Sequence, residues 1–119
     1  MFRNYDNKNI GPVEQMDPLK ETEIRAYLLG AVHCWSKNRF NEWFTLQDLF
    51  GGENRDWTDT PLIYFYERQI QNGLSVDASF AKAAQDAGNI LKSVILYDVK
   101  EYDTIKNGYE NRKYYWTGN

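Results

Sequence analysis

Apolar residues recur with helical spacing in the first third of the chain. Ile24, Leu28, Ala31 and Trp35 fall at i, i+4, i+7 and i+11, one stripe of an amphipathic helix, and Tyr27 and Cys34 widen it. Asp17-Pro18 marks its start, because Asp17 can accept from the free first-turn N–H groups and Pro18 suits the first helical position. The pattern predicts an end near Ser36–Arg39. Asn41–Thr45 (NEWFT) is short, aromatic and β-prone, and reads as a brief strand. Leu46–Phe50 then starts a short helix that Gly51-Gly52 stops. Glu53–Asp59 is polar and reads as a loop.

Thr60-Pro61 predicts a further helix with Thr60 as its cap. Ile63, Tyr66 and Ile70 lie on one face, Leu62 flanks it, and Asn72-Gly73 closes it. Ser75 or Asp77 caps the next helix, whose apolar face is Phe80, Ala83, Ala84 and Ala87. Gly88 is expected to break that helix. Ile90, Leu91, Val94, Ile95 and Tyr97 continue at helical spacing beyond it. Asn107-Gly108 is a strong hairpin signal, since a type I′ turn needs φ > 0 at both positions. A two-residue turn there pairs Ile105 with Glu110, Asp103 with Arg112 and Tyr102 with Lys113. A competing reading runs the helix through Leu91, Ile95, Tyr102 and Ile105 as far as Gly108. The β-prone Tyr109–Trp116 favours the hairpin.

These elements predict an α+β, mostly helical fold. Helix, short strand, helices, a Gly-hinged helix pair and a hairpin follow in the order of a winged helix-turn-helix-like domain with a C-terminal β-hairpin and an inserted helix within Gly51–Gly73. Ala84, Gly88 and Val94 have the spacing of a helix-turn-helix unit, with a small residue at the helix contact, Gly in the turn and a β-branched residue beneath the second helix. Two ordinary packed helices with a glycine hinge would show the same spacing. Residues 1–16 are polar and broken by Gly11-Pro12, and read as a flexible arm. Residues 17–119 read as a single domain.

The chain has 119 residues and a net charge of −3. That is enough chain for one core without disulfides, and too acidic for a strongly basic nucleic-acid or membrane-surface protein. The acidic excess falls in residues 1–76, because residues 77–119 carry as many Lys and Arg as Asp and Glu. Cys34 and His33 are each the only one of their kind, so there is no intrachain disulfide and no cysteine zinc site. The N-terminus lacks the apolar stretch of a signal peptide and no run reaches a membrane span. A cytoplasmic setting is expected.

Asn111–Gly118 (NRKYYWTG) resembles the last wing strand of the PadR, MarR and ArsR types of winged-helix transcriptional regulator. In those regulators a basic residue is followed by Tyr-Tyr or Tyr-X and a Leu-Thr-x-x-Gly type of ending. Arg112, Lys113, Tyr114, Tyr115 and Thr117 match, while Trp116 stands where Leu is usual. Tyr27–Trp35 (YLLGAVHCW) is similar to the first helix of PadR proteins. The insertion Gly51–Gly73 and the acidic charge depart from the pattern. Many such regulators also continue into a dimerisation helix, so a homodimer here would use the flanks of the first helix (Tyr27, Cys34) and the arm (Phe2, Tyr5).

The resemblance implies DNA binding in transcription regulation. The recognition helix would run from about Asn89 to Tyr97 and present Asn89, Lys92, Ser93 and Asp98. Asn can read adenine, and Lys can reach guanine or phosphate. The wing would offer Lys106, Asn107, Arg112 and Lys113 to phosphates, where Asp98, Glu101 and Asp103 would repel them. The alternative is a non-enzymatic protein-interaction module. The chain carries more aromatics than a small core needs, and Trp57 in the Asp56–Pro61 loop, Tyr64, Tyr109 and Tyr115 are its candidate anchors. Small acidic accessory or inhibitor proteins of phages and mobile elements are similar in size and charge. An enzyme is not expected. His33 and Cys34 are helix neighbours that point about 100° apart, and no HExxH, GxSxG, P-loop or GxGxxG occurs. No cofactor or metal is expected, since Glu53, Asp56 and Asp59 cluster in one loop without a histidine to complete a site.

Overall fold

A computed structural model describes residues 13–50 and 56–119 and the backbone of residues 2–3. The order is β1 (Phe2–Arg3), β2 (Val13–Glu14), α1 (Pro18–Asn38), α2 (Leu46–Leu49), α3 (Ile63–Gln71), α4 (Val76–Leu96), β3 (Tyr102–Ile105) and β4 (Lys113–Trp116). The fold is α+β and mostly helical, with a C-terminal antiparallel hairpin and α3 as the helix expected within residues 51–73.

α1 begins as its sequence predicts. The Asp17 side chain accepts from Lys20 N at 3.1 Å, and Pro18 opens the helix. Its buried stripe is rotated slightly from the expected one: Ile24, Leu28 and Val32 are fully buried, whereas Ala31 and Trp35 are half-buried. Thr45 and Asp48 cap α2 reciprocally.

α3 starts at Ile63, not at Thr60, whose hydroxyl is turned back to the Trp57 carbonyl at 2.8 Å. It buries Phe65 and Gln69, while Ile70 stays exposed. The predicted close at Asn72-Gly73 is present. Gly73 has φ +91°, its N–H donates to Ile70 O, and Leu74 N–H donates to Gln69 O, the paired bonds of a left-handed helix cap. Ser75 then caps α4 through Ala78 N at 3.2 Å.

The main correction concerns Gly88. α4 is one continuous helix of 21 residues that passes through it, so no helix pair is hinged there. A glycine in a helix interior costs about 1 kcal/mol relative to alanine. Burial of Ala83, Ala87, Ile90, Leu91, Val94 and Ile95 in the core outweighs that. Phe80, expected on the same face, is half-exposed. Tyr97 lies past the helix end and is exposed, so the long-helix alternative to Gly108 fails too.

The hairpin forms, but in another register. Tyr102 pairs with Trp116, Asp103 with Tyr115, Thr104 with Tyr114 and Ile105 with Lys113, so the connection is a longer loop, residues 106–112. Gly108 has φ +56° while Asn107 keeps an ordinary negative φ. Asn107 therefore stands before the tight bend, and its carbonyl accepts from Glu110 N at 3.0 Å. Phe44 adds a third, one-residue rung to β4, which is what the NEWFT strand amounts to.

The expected arm is corrected at its near end. β1 and β2 pair through Phe2–Glu14 and Arg3–Val13, and Val13 and Met16 belong to the core at 0% and 3% exposure. Arg68 fastens this segment. Its guanidinium donates to the carbonyls of Glu14 and Gln15 at 3.2 and 3.3 Å and to buried Asp86 at 2.9 Å. Residues 4–12 and 51–55, and with them Tyr5, Glu53 and Gly51-Gly52, lie outside the described residues.

Candidate nucleic-acid interface

α4 packs against α1 and α3, which leaves one of its faces open toward the hairpin loop. Gln85, Asn89 and Lys92 follow one another along that face. Lys106 and Arg112, at the two ends of the hairpin loop, reach it because β4 is anchored to the core. Tyr114 is buried, and its backbone exchanges hydrogen bonds with Phe44 at 2.9 and 2.8 Å. Between helix and loop lies an open depression of about 610 Å³. It is lined by Ala84, Gly88 and Tyr114 together with Gln85, Asn89, Lys92, Lys106 and Arg112, with no carboxylate among these residues.

Four residues expected to meet DNA, Asn89, Lys92, Lys106 and Arg112, are thus brought to one place. Arg112 is positioned by donating to Thr104 Oγ1 across the hairpin at 2.9 Å, and the Lys106 ammonium by donating to Gly108 O at 3.1 Å. Burial and then the charge of Arg112 hold the Lys92 ammonium below its ordinary pKa.

The other predicted contacts separate. Ser93 is fully buried and accepts from Arg25 Nη2 at 3.2 Å inside the fold, so it cannot face a ligand. Lys113 is exposed and belongs to the opposite face of β4 from Tyr114, since strand neighbours alternate. Asn107 is exposed in the loop.

The acids expected to repel phosphate line the adjoining cavity and not the depression itself. A second cavity of about 490 Å³ collects Asp98, Glu101 and Asp103 and shares Lys92 and Tyr114 with the basic depression. The Asp98 carboxylate, 5% exposed, accepts from Tyr102 Oη at 2.7 Å and Val99 N at 2.8 Å, and lies 2.8 Å from His33 Nε2. Burial pushes that carboxyl up, but the hydrogen bonds from His33, Tyr102 and Val99 together with the His33 charge hold it below the ordinary range.

Of the protein-contact candidates, Trp57 is corrected: it is 7% exposed and belongs to the core cluster. Tyr64 is half-buried, with its hydroxyl taking the Asp17 N–H at 3.2 Å. Tyr115 leans on Trp43 with ring centroids 5.2 Å apart and donates to Asn41 Oδ1 at 2.9 Å. Tyr109 stands fully in solvent at the loop. The sequence pattern missed a second exposed group, Ile70, Leu74, Val76 and Phe80 around the α3–α4 turn; Ile70 and Phe80 stand where a helical stripe made burial the natural expectation. His33 is engaged with Asp98 and Cys34 is exposed. Among the described residues no group of three His, Cys, Asp or Glu side chains could hold a metal ion, and no helix is long and apolar enough to cross a membrane. No family model, curated protein or solved structure matches this chain.

Proposed function

We propose that the chain is a winged-helix-like, DNA-binding domain with a transcription-regulatory role. One observation carries this reading: Asn89, Lys92, Lys106 and Arg112 line a single depression that contains no acid. Its two walls are a helix and a hairpin loop, the elements a winged helix brings to DNA. With Gly88 inside a continuous helix, the helix pair of this reading is α3 and α4, joined at Gly73. The third strand of a winged-helix sheet corresponds to the Phe44 rung on β4. Lys92, Lys106 and Arg112 would meet phosphates, while Gln85 and Asn89, one helical turn apart, offer side-chain amide N–H donors to the same backbone. Binding of a labelled random duplex at low salt tests the reading, and it fails if micromolar protein produces no change in anisotropy.

A protein-binding role is the second reading, that of a small acidic accessory or inhibitor protein. It is favoured by the exposed aromatics Phe40, Trp43 and Tyr109 with half-buried Tyr115. A homodimer is proposed for either reading. Tyr27 is already stacked on Phe50 at 5.3 Å, so the exposed Ala26 and Cys34 flank of α1, with the N-terminal segment, is the surface it would use. Sedimentation at micromolar concentration decides it, with a mass near 14.1 kDa rejecting the dimer.

A further inference from the structure

Gly30 and Gly88 are the two helical glycines among the described residues, and a Cβ at either would meet nothing within 4 Å. Packing therefore does not require glycine at 88, where it weakens a helix interior. Gly88 differs from Gly30 in its surroundings. It lines the basic depression and also a smaller hollow of about 110 Å³ that shares Ala84, Arg112 and Tyr114 with it. The depression is open and lined by three cations and no acid. An open basic surface of this kind suits the anionic backbone of a strand.

We infer that the sugar–phosphate ridge of one DNA strand seats in this depression, with one phosphodiester group lying over Gly88 and with Lys92, Lys106 and Arg112 neutralising it and its neighbours along the strand. This rests on the DNA-binding reading and adds where the backbone crosses α4. The backbone N–H groups of a mid-helix residue are already spent within the helix. Gly88 therefore supplies only room, and the side-chain cations supply the attraction. Contacts of this kind position a duplex without reading it.

The test compares Gly88→Ala and Gly88→Leu with Gly30→Ala, using the full chain, thermal melting and anisotropy of a random-sequence duplex at low salt. Both alanine variants should melt at or above the parent temperature, since alanine favours the helix and no atom is crowded. Gly30→Ala should bind duplex like the parent. Gly88→Ala should weaken binding several-fold and Gly88→Leu at least tenfold, by the same factor on A·T-rich and G·C-rich duplexes. Folded Gly88 variants that bind like the parent would overturn the seat and leave the DNA reading standing. If the parent itself binds no duplex, both fail. Inorganic pyrophosphate at millimolar concentration separates the two sources of phosphate. If it raises the melting temperature of the parent while duplex does not bind, the depression serves a small phosphorylated ligand and the inference is overturned.

Discussion

Phe44 and Tyr114 exchange two backbone hydrogen bonds, at 2.9 and 2.8 Å, and their rings lie 5.8 Å apart. This rung ties the corner after α1 to the second hairpin strand. Because Tyr114 also lines the basic depression, the rung fixes the second hairpin strand beside α4. Phe44 is 1% exposed, so Phe44→Ala should cost about 3–5 kcal/mol. Denaturant unfolding measures it, and a loss under about 1 kcal/mol would show that the hairpin is held in some other way.

The bend of the hairpin loop depends on Gly108 and not on its neighbour. Gly108 has φ +56°, a region where a side chain costs roughly 1–2 kcal/mol. Gly108→Val should lower the melting temperature by several degrees. Asn107→Ala should be close to neutral, since Asn107 has no positive φ and contributes its backbone carbonyl. Equal losses at both positions would restore the two-residue type I′ turn.

Asp98 sets part of the acid limb of stability. Its carboxyl is more acidic in the folded chain than its ordinary value of 3.8. The folded state therefore binds fewer protons there than the unfolded state. The ionised group contributes stability above the unfolded value, and that contribution is lost as pH falls through the lower folded value. Unfolding free energy should drop more steeply between pH 5 and the acid limit in the parent than in Asp98→Asn, in water-like buffer of constant ionic strength, over the roughly two-unit window such groups span. Parallel curves would mean that the His33–Asp98–Tyr102 cluster carries no such linkage.

Arg68 and Asp86 form a buried pair at 2.9 Å, with side chains 10% and 0% exposed. Burial raises the Asp86 carboxyl, against the hydrogen bond from Arg68. Asp86→Ala leaves the guanidinium without its carboxylate and should cost about 3–5 kcal/mol. The double variant Asp86→Ala with Arg68→Met should recover part of that loss, because both charges are then removed. A double variant that is worse by the sum of the single losses would show that the pair is not coupled.

Local signals with one physical meaning were legible in the sequence. Asp17-Pro18, Asn72-Gly73 and Ser75 each act through a cap geometry that needs little beyond its own neighbours, and each stands where expected. Gly88 signals a break because its cost is local, whereas the burial that overrides it comes from packing against α1 and α3. The hairpin was legible but its register was not, since the Phe44–Tyr114 rung that anchors β4 joins residues 70 positions apart in the chain. Trp57 looked exposed from its polar neighbours, and only the tertiary fold turns it into the core. Asn89, Lys92, Lys106 and Arg112 stand out in the sequence only as separate polar residues, and that they line one depression is a fact of packing. Gln85 carries the helical periodicity that could have added it to them.

The most direct test is the salt dependence of duplex binding by the parent and by the triple variant Lys92→Ala, Lys106→Ala, Arg112→Ala. Each cation that neutralises a phosphate releases a counterion, so the logarithm of the binding constant falls with the logarithm of salt by about 0.9 per contact. The parent should bind at low salt, and loss of the three cations should abolish most of that binding and flatten the slope by roughly two to three, with the far-ultraviolet spectrum unchanged. A parent that binds no duplex at low salt, or a folded triple variant with the parent's affinity and slope, would contradict the assignment of this depression to DNA.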